Sequence, residues 1–197
     1  KGSVRLRITA RAASQEQAES LIEPIAQEIM SRTKPYLFST SGQRLEEVIG
    51  ELLTLRNETL ALAESCTGGL VGDTITNVPG SSSYFLRGYV VYSNEAKMSD
   101  LGVQEETLRA YGAVSAETAR EMADGVRKRA NTDYGVAITG IAGPDGGTAE
   151  KPVGLVYISL ASRGNTIVER HQFSGSRLQI KQRSAQAALT LLWKELR

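Results

Sequence analysis

Short apolar segments that run directly into glycine-rich turns are the most constraining feature of this sequence. Leu60–Ala63 leads into Glu64-Ser65-Cys66-Thr67-Gly68-Gly69, and Tyr134–Ile138 leads into a second glycine-rich loop over residues 140–147. Patterns typical of helices lie between these segments. Buried strands that alternate with helices indicate a layered α/β domain, in which helices pack on a central sheet.

The same alternation extends over most of the chain. The spacing of apolar residues predicts helices over residues 45–53, 70–78, 94–101, 115–129 and 178–196, and strands over residues 89–92, 153–161 and 165–173. Ser115 is a typical N-cap residue, with Glu117 in the first turn that follows it. We therefore predict a layered α/β domain over most of the chain.

The first forty residues have a different pattern. Val4, Leu6 and Ile8 alternate with polar residues, which predicts a half-buried strand over residues 4–9. Ser14-Gln15-Glu16-Gln17 matches a capping box and predicts a helix, which Pro24 should kink or interrupt. Residues 31–42 are rich in serine and threonine, so we interpret them as a linker.

Charge and composition exclude several classes of protein. The 197 residues include 23 Lys+Arg and 22 Asp+Glu, and this balance gives no strong electrostatic case for nucleic acid or an anionic membrane. A single cysteine, Cys66, and a single histidine, His171, argue against a disulfide framework and a zinc site. The longest apolar segment, Val153–Ala161, is too short to span a bilayer, and no signal-peptide pattern is present. We expect a cytoplasmic protein and, without an initiator methionine, a fragment of a longer one.

The first glycine-rich turn is a candidate site because it joins a strand to a helix. The N–H groups at a helix N-terminus suit a phosphate or a developing oxyanion. The alternative is an ordinary N-cap formed by Ser65 or Thr67. Cys66 could itself be a nucleophile, or simply a small buried apolar residue.

The second glycine-rich loop, residues 140–147, also follows a strand. Its Pro144-Asp145-Gly146 is typical of a plain tight turn, which is the alternative to a binding role. If the two strands are parallel, both loops lie at one edge of the sheet, where open α/β sheets bind their ligands. Together the loops predict a small-molecule site.

Lys97 is the candidate base for this site. It follows the predicted strand at residues 89–92 and could be an ordinary solvated helix residue. A partly buried lysine, however, loses basicity by desolvation and can activate a neighbouring serine. His171, on a late strand, is interpreted as structural, so a serine–lysine pair is the more economical hypothesis.

Three ordered motifs in this sequence resemble those of the CinA C-terminal family, whose members are nicotinamide mononucleotide amidases. They are Ala63–Gly69, Tyr92–Lys97 and Gly140–Gly147, and the segments Gly112–Ser115 and Phe173–Gly175 also fit the family pattern. Residues 1–40 resemble the KH-like connector that precedes this domain in full-length CinA proteins. The resemblance implies a layered α/β/α domain with a central mixed sheet over residues 43–197, preceded by a small α+β segment.

The resemblance also implies roles for particular residues. Ser65 is the expected nucleophile, Lys97 the base and Tyr92 a residue that orients Lys97 or the carboxamide; the backbone N–H groups near Cys66 and Thr67 are the candidate oxyanion hole. We assign substrate binding to Cys66, Thr67, Gly68, Gly69, Asn94, Thr139, Gly140, Gly143 and Arg177. No metal or cofactor is expected, nor a membrane or nucleic-acid partner, and the family implies a homodimer.

Two other classes of function compete with the amidase. One is a non-catalytic nucleotide-binding regulatory module, against which the presence of both Ser65 and Lys97 argues. The other is nucleic-acid binding through the connector, which contains no Gly-x-x-Gly and for which the net charge gives no support.

Overall fold

The computed structural model describes residues 3–197, which form two units, Ser3–Arg44 and Leu45–Arg197. The first unit contains one helix, α1 (Gln15–Thr33), and its N-cap is Ser14, whose side chain accepts a hydrogen bond from the Gln17 N–H. Pro24 lies inside this helix without interrupting it, so the predicted break is absent.

The strand that we predicted over residues 4–9 is wrong for the part of the chain described. Residues 3–12 have no regular secondary structure, and Val4 and Leu6 are 85% and 61% exposed. A strand is stabilised by a hydrogen-bonding partner strand. Residues 3–44 contain no strand, so the alternating segment has no partner strand within this unit.

The second unit is built on a five-stranded mixed sheet in the order β2-β1-β3-β4-β5. β1 (Leu60–Glu64) lies between β2 (Phe85–Val90) and β3 (Tyr134–Gly140) and is parallel to both. β4 (Leu155–Ala161) and β5 (Thr166–Gln172) continue the sheet antiparallel to their neighbours. The expected α/β fold with a mixed central sheet is therefore confirmed.

Six helices accompany this sheet in residues 45–197. They are α2 (Leu45–Arg56), α3 (Leu70–Thr76), α4 (Asn94–Leu101), α5 (Glu105–Tyr111), α6 (Ala116–Ala130) and α7 (Arg177–Leu196). The sequence patterns predicted all except α5, a seven-residue helix that is too short and polar for a clear apolar stripe. A short 3₁₀ turn, Ser81–Ser83, precedes β2.

Small residues let α6 lie close against one face of the sheet. Alanines of β1 and β3 (Ala61, Ala63 and Ala137) pack in one core cluster with Met122, Ala123 and Val126 of α6. At Gly135 a side chain is excluded, because a Cβ there would lie 2.4 Å from the Ala123 carbonyl oxygen. Alternate positions of β1 face the opposite side, where α3 packs near Leu62 and Glu64.

The parallel strands β2, β1 and β3 all end at the same edge of the sheet. The segments that follow them, residues 91–93, 65–69 and 141–147, therefore leave from this carboxyl edge. These are the segments in which the sequence motifs lie. Among the described residues, no helix combines the length and apolarity needed to cross a membrane.

Candidate active site

Ser65 follows the last residue of β1 and remains attached to the sheet. Its backbone N–H donates to the Ile138 carbonyl, 3.0 Å away, and its own carbonyl accepts from the Gly68 N–H at 3.1 Å. The first bond extends the β1–β3 ladder, and the second closes a turn over residues 65–68. The backbone of Ser65 is thus fixed by a strand on one side and by a tight turn on the other. The residue is only 8% exposed.

Lys97 reaches Ser65 from α4. The N-cap of this helix is Ser93, whose hydroxyl accepts from the Ala96 N–H. Because helical side chains lean toward the N-terminus, the Lys97 amino group lies over the start of its own helix. There Nζ is 3.2 Å from Ser65 Oγ and donates to the Val91 carbonyl at 2.9 Å.

The surroundings of Lys97 lower the basicity of its amino group. The side chain is 1% exposed, and burial lowers the pKa of the amino group below the ordinary lysine value, against smaller opposing effects of Cys66 and Glu95. The carbonyl oxygens of Tyr92 and Ser93, each 3.4 Å from Nζ, complete its polar contacts. A solvated lysine, the alternative that the sequence left open, does not fit this environment.

Cys66 lies in the same turn but in a different environment. Burial raises the pKa of its thiol to about 12, so the thiolate is strongly disfavoured at neutral pH. The thiolate is the nucleophilic form of cysteine. Because burial disfavours the thiolate, Ser65 is a better candidate than Cys66 for the attacking group.

Glu64 occupies the N-terminus of α3, which the sequence had suggested for an anionic ligand. One of its carboxylate oxygens accepts from the N–H groups of Gly69 and Val71 at 3.0 and 3.1 Å, and the other from Gly72 at 2.8 Å. These N–H groups, including that of Gly69, are therefore already paired. The N-cap residue is Gly69, so the alternative that the sequence left open, an N-cap formed by Ser65 or Thr67, is absent. Sequence reasoning assigned Glu64 no role, although an acid ending an apolar strand was a visible signal.

The backbone N–H groups of Cys66 and Thr67 remain candidates for an oxyanion hole. Within residues 3–197, no carbonyl oxygen accepts a hydrogen bond from either group. Thr67 is fully buried, and its hydroxyl also has no hydrogen-bond partner in the described structure. Unpaired donors beside a buried serine are the arrangement that stabilises a developing negative charge.

Arg177, the first residue of α7, links two of the segments at the carboxyl edge. Its Nη1 donates to the Gly143 carbonyl at 2.7 Å and its Nη2 to the Tyr92 hydroxyl at 2.9 Å. Tyr92 therefore contacts Lys97 through its backbone oxygen, whereas its phenol ring holds Arg177. The sequence predicted all three residues at the site but not this connection.

The remaining predicted binding residues have different surroundings. Thr139 is buried and donates its hydroxyl to the Ala113 carbonyl, which ties the loop before α6 to β3. Gly140 lies against β4, where a Cβ would be 2.7 Å from a Val156 methyl. Asn94 and Gly68 are exposed near the site, Asn94 as the first residue of α4.

His171 lies away from the serine. It is on β5, three strands from β1, where it contacts Glu169 at 2.9 Å and stacks on Phe173. The structural role interpreted from the sequence agrees with these contacts.

A cleft of about 590 Å³ opens at the opposite edge of the sheet, near Glu58 and Tyr134, and contains none of the predicted site residues. In the described part of the chain, no cluster of three or more His, Cys, Asp or Glu residues could hold a metal.

The fold and the site together define an α/β domain with a buried serine–lysine pair at the carboxyl edge of its sheet. The family model of the CinA C-terminal domain matches residues 42–196, and that of the damage-inducible protein CinA KH domain matches residues 1–39. The chain therefore belongs to the CinA family.

Individual relatives agree with this assignment. A relative from Moorella thermoacetica is 55% identical over 196 residues, and a "CinA-like protein" from Kosmotoga olearia is 50% identical over 195 residues. The two alignments cover 100% and 99% of this chain but only 47% of each relative, so the chain spans about half the length of these relatives. The crystal structure of the competence/damage inducible protein CihA from Agrobacterium tumefaciens is 42% identical, with a TM-score of 0.75 over 80% of this chain and 96% of that one.

Proposed function

We propose that the domain over residues 43–197 hydrolyses the carboxamide of nicotinamide mononucleotide to nicotinate mononucleotide and ammonia. The observation that carries the chemistry is the 3.2 Å distance between Lys97 Nζ and Ser65 Oγ, with both side chains buried. The choice of substrate follows from the resemblance of the three sequence motifs to those of nicotinamide mononucleotide amidases.

The surroundings of the pair are consistent with lysine acting as a base. A neutral amine has two N–H donors and one lone pair. Two of the three carbonyl groups that contact Nζ, those of Val91, Tyr92 and Ser93, can accept these donors, which leaves the lone pair to accept the Ser65 hydroxyl proton. General-base catalysis of this kind contributes about a hundred- to ten-thousand-fold to the rate.

The reaction then proceeds in two halves. Ser65 Oγ attacks the carboxamide carbon while Lys97 takes the hydroxyl proton, and the N–H groups of Cys66 and Thr67 stabilise the oxyanion. The tetrahedral intermediate collapses, the C–N bond breaks, and Lys97 returns the proton to the leaving ammonia. In the second half, water attacks the acyl-enzyme ester, Lys97 takes the water proton and returns it to Ser65, and nicotinate mononucleotide leaves. We assign Arg177 and the loop over residues 140–147 to the ribose and phosphate.

The test is an ammonia-release assay with nicotinamide mononucleotide, in which chromatography follows the acid product. The proposal expects one nicotinate mononucleotide per ammonia, and no turnover by Ser65→Ala. Tight binding of the nucleotide without ammonia release from the wild type would overturn it and favour the non-catalytic nucleotide-binding module.

A further inference from the structure

Lys181 is a cation beside the nucleophile turn to which sequence analysis gave no role. It lies on α7 four residues after Arg177, and residues four apart on a helix share a face. A methyl group at Gly68 would be only 3.6 Å from Lys181 Nζ. The amino group thus lies against the turn that begins at Ser65.

The second observation is that Lys181 has no partner. Within residues 3–197, its amino group makes no hydrogen bond and no ion pair, although the residue is half-buried. The carboxylate of Glu64, the residue before Ser65, accepts hydrogen bonds from the backbone N–H groups of Gly69, Val71 and Gly72 instead. A partly desolvated cation without a counter-charge is stabilised by an anionic ligand.

We propose that Lys181 binds the phosphate of the nucleotide substrate. This inference rests on the proposed function for the identity of the nucleotide. The ends of the Ser65–Gly68 turn are within about 7 Å of each other, so the lysine and the attacking oxygen lie at opposite ends of one short turn. In the substrate, a pyridine ring and a ribose separate the carboxamide from the phosphate, so the two groups contact different residues of the site.

Arg177 and Lys181 have complementary roles in this arrangement. Two nitrogens of the Arg177 guanidinium are held by the Gly143 carbonyl and the Tyr92 hydroxyl. These two contacts use two of its five N–H donors and hold the loops that surround the ribose and phosphate. Lys181 has three free N–H donors on a flexible stem, and lysine binds phosphate as a point charge.

The experiment compares Lys181→Gln with the wild type on two substrates, nicotinamide mononucleotide and nicotinamide riboside, which lacks the phosphate. We expect KM for the mononucleotide to rise about tenfold to a hundredfold, as for loss of a charged hydrogen bond, with kcat within about twofold. For the riboside, kcat and KM of Lys181→Gln should equal those of the wild type. Lys194→Gln is the matched control, since Lys194 is exposed on the same helix about 20 Å further along.

Failure of this inference can be distinguished from failure of the proposed function. Equal KM values for wild type and Lys181→Gln on the mononucleotide would overturn the phosphate site while leaving the amidase intact. If the wild type releases no ammonia from either compound, calorimetric binding of the two compounds decides the question. If the wild type binds the mononucleotide more tightly than the riboside and Lys181→Gln binds both equally, the phosphate site is supported. An unchanged ratio of the two affinities in Lys181→Gln would overturn it.

Discussion

The amino group of Lys97 and the hydroxyl of Ser65 meet at 3.2 Å although 32 positions separate them in the sequence. Ser65 directly follows a central strand, and Lys97 belongs to the helix that follows the neighbouring parallel strand. The pair exists because two parallel strands end together, and its two members are 8% and 1% exposed. A water-poor environment of this kind strengthens the electrostatic interactions within it.

Replacing Ser65 by alanine should abolish turnover while leaving nucleotide binding largely intact. Only the attacking oxygen is removed, and loss of a covalent nucleophile should cost at least about a thousandfold in kcat. Cys66→Ala is the adjacent control, and it should retain most of the activity because the thiol is protonated at neutral pH. Normal turnover in Ser65→Ala with a dead Cys66→Ala would reverse the assignment.

Lys97→Arg should be nearly as damaging as Lys97→Ala. Arginine keeps the positive charge but cannot release its proton near neutral pH, so it cannot act as a base. We expect both variants to lose about a hundred- to ten-thousand-fold in kcat, measured by ammonia release on protein shown by circular dichroism to be folded. A well-folded arginine variant with substantial activity would assign Lys97 to binding instead.

The rate should rise with pH through a single ionisation. A base acts in its deprotonated form, so activity is low below the pKa of Lys97 and reaches a plateau above it. Burial lowers this pKa, and the rise should therefore be centred below the ordinary lysine value of about 10.5. A profile of kcat/KM against pH measures it, and the residual activity of Lys97→Ala should lack this ionisation. A wild-type rate that falls over the same range would contradict the role of base.

Gly125→Ala should destabilise the protein even though alanine is the better helix former. Gly125 is inside α6, and a Cβ there would lie 2.0 Å from the Leu101 carbonyl oxygen at the end of α4, the helix that carries Lys97. Overpacking of this kind costs about 1–3 kcal/mol, against about 1 kcal/mol gained in helix propensity. Urea denaturation measures the change in the free energy of unfolding, and the ammonia assay should show a parallel loss of activity.

Gly72→Ala is the matched control for this substitution. Its added methyl group would make only ordinary contacts, with Glu64 Oε1 at 3.6 Å as the nearest atom. We expect unchanged or slightly increased stability. Similar losses in both variants would show that the close approach of α4 and α6 is not the cause.

Removal of the first forty residues should not affect the chemistry. Every residue assigned to the site lies in the unit over residues 45–197. A chain that begins at Gly42 should unfold cooperatively and keep turnover per site within about twofold. Loss of activity in a truncated chain with a normal unfolding transition would mean that residues 1–41 help to form the site.

The site was predictable from sequence to the extent that it depends on where strands end. Parallel strands place Ser65, Lys97 and the loop over residues 140–147 at one edge. Short-range patterns located β1 and β3, but they placed the strand before Lys97 over residues 89–92, whereas β2 is Phe85–Val90. Side-chain direction was not predictable in the same way. The Glu64 carboxylate turns toward α3 while the next side chain, that of Ser65, turns toward α4, and this alternation depends on the register of the folded sheet.

Long-range pairing limited the predictions elsewhere. The alternating pattern at Val4, Leu6 and Ile8 described a local preference, but a strand also needs a partner that the pattern does not specify. Lys181 was overlooked because, in sequence, it is one basic residue among several on α7. Its importance follows only from its position against Gly68, although the four-residue spacing from Arg177 was a signal that could have been used.

The enclosure of Lys97 has a consequence for the sequence of events in the proposed reaction. Three backbone carbonyl groups contact the amine, and among the described residues Ser65 Oγ is its remaining hydrogen-bond partner; because carbonyl oxygens have no proton to give or take, Lys97 exchanges protons on the side of Ser65. In the proposed mechanism, the position beside Ser65 and Lys97 is therefore used twice, by the leaving ammonia in the first half and by the attacking water in the second, and the acyl-enzyme is the state between the two uses.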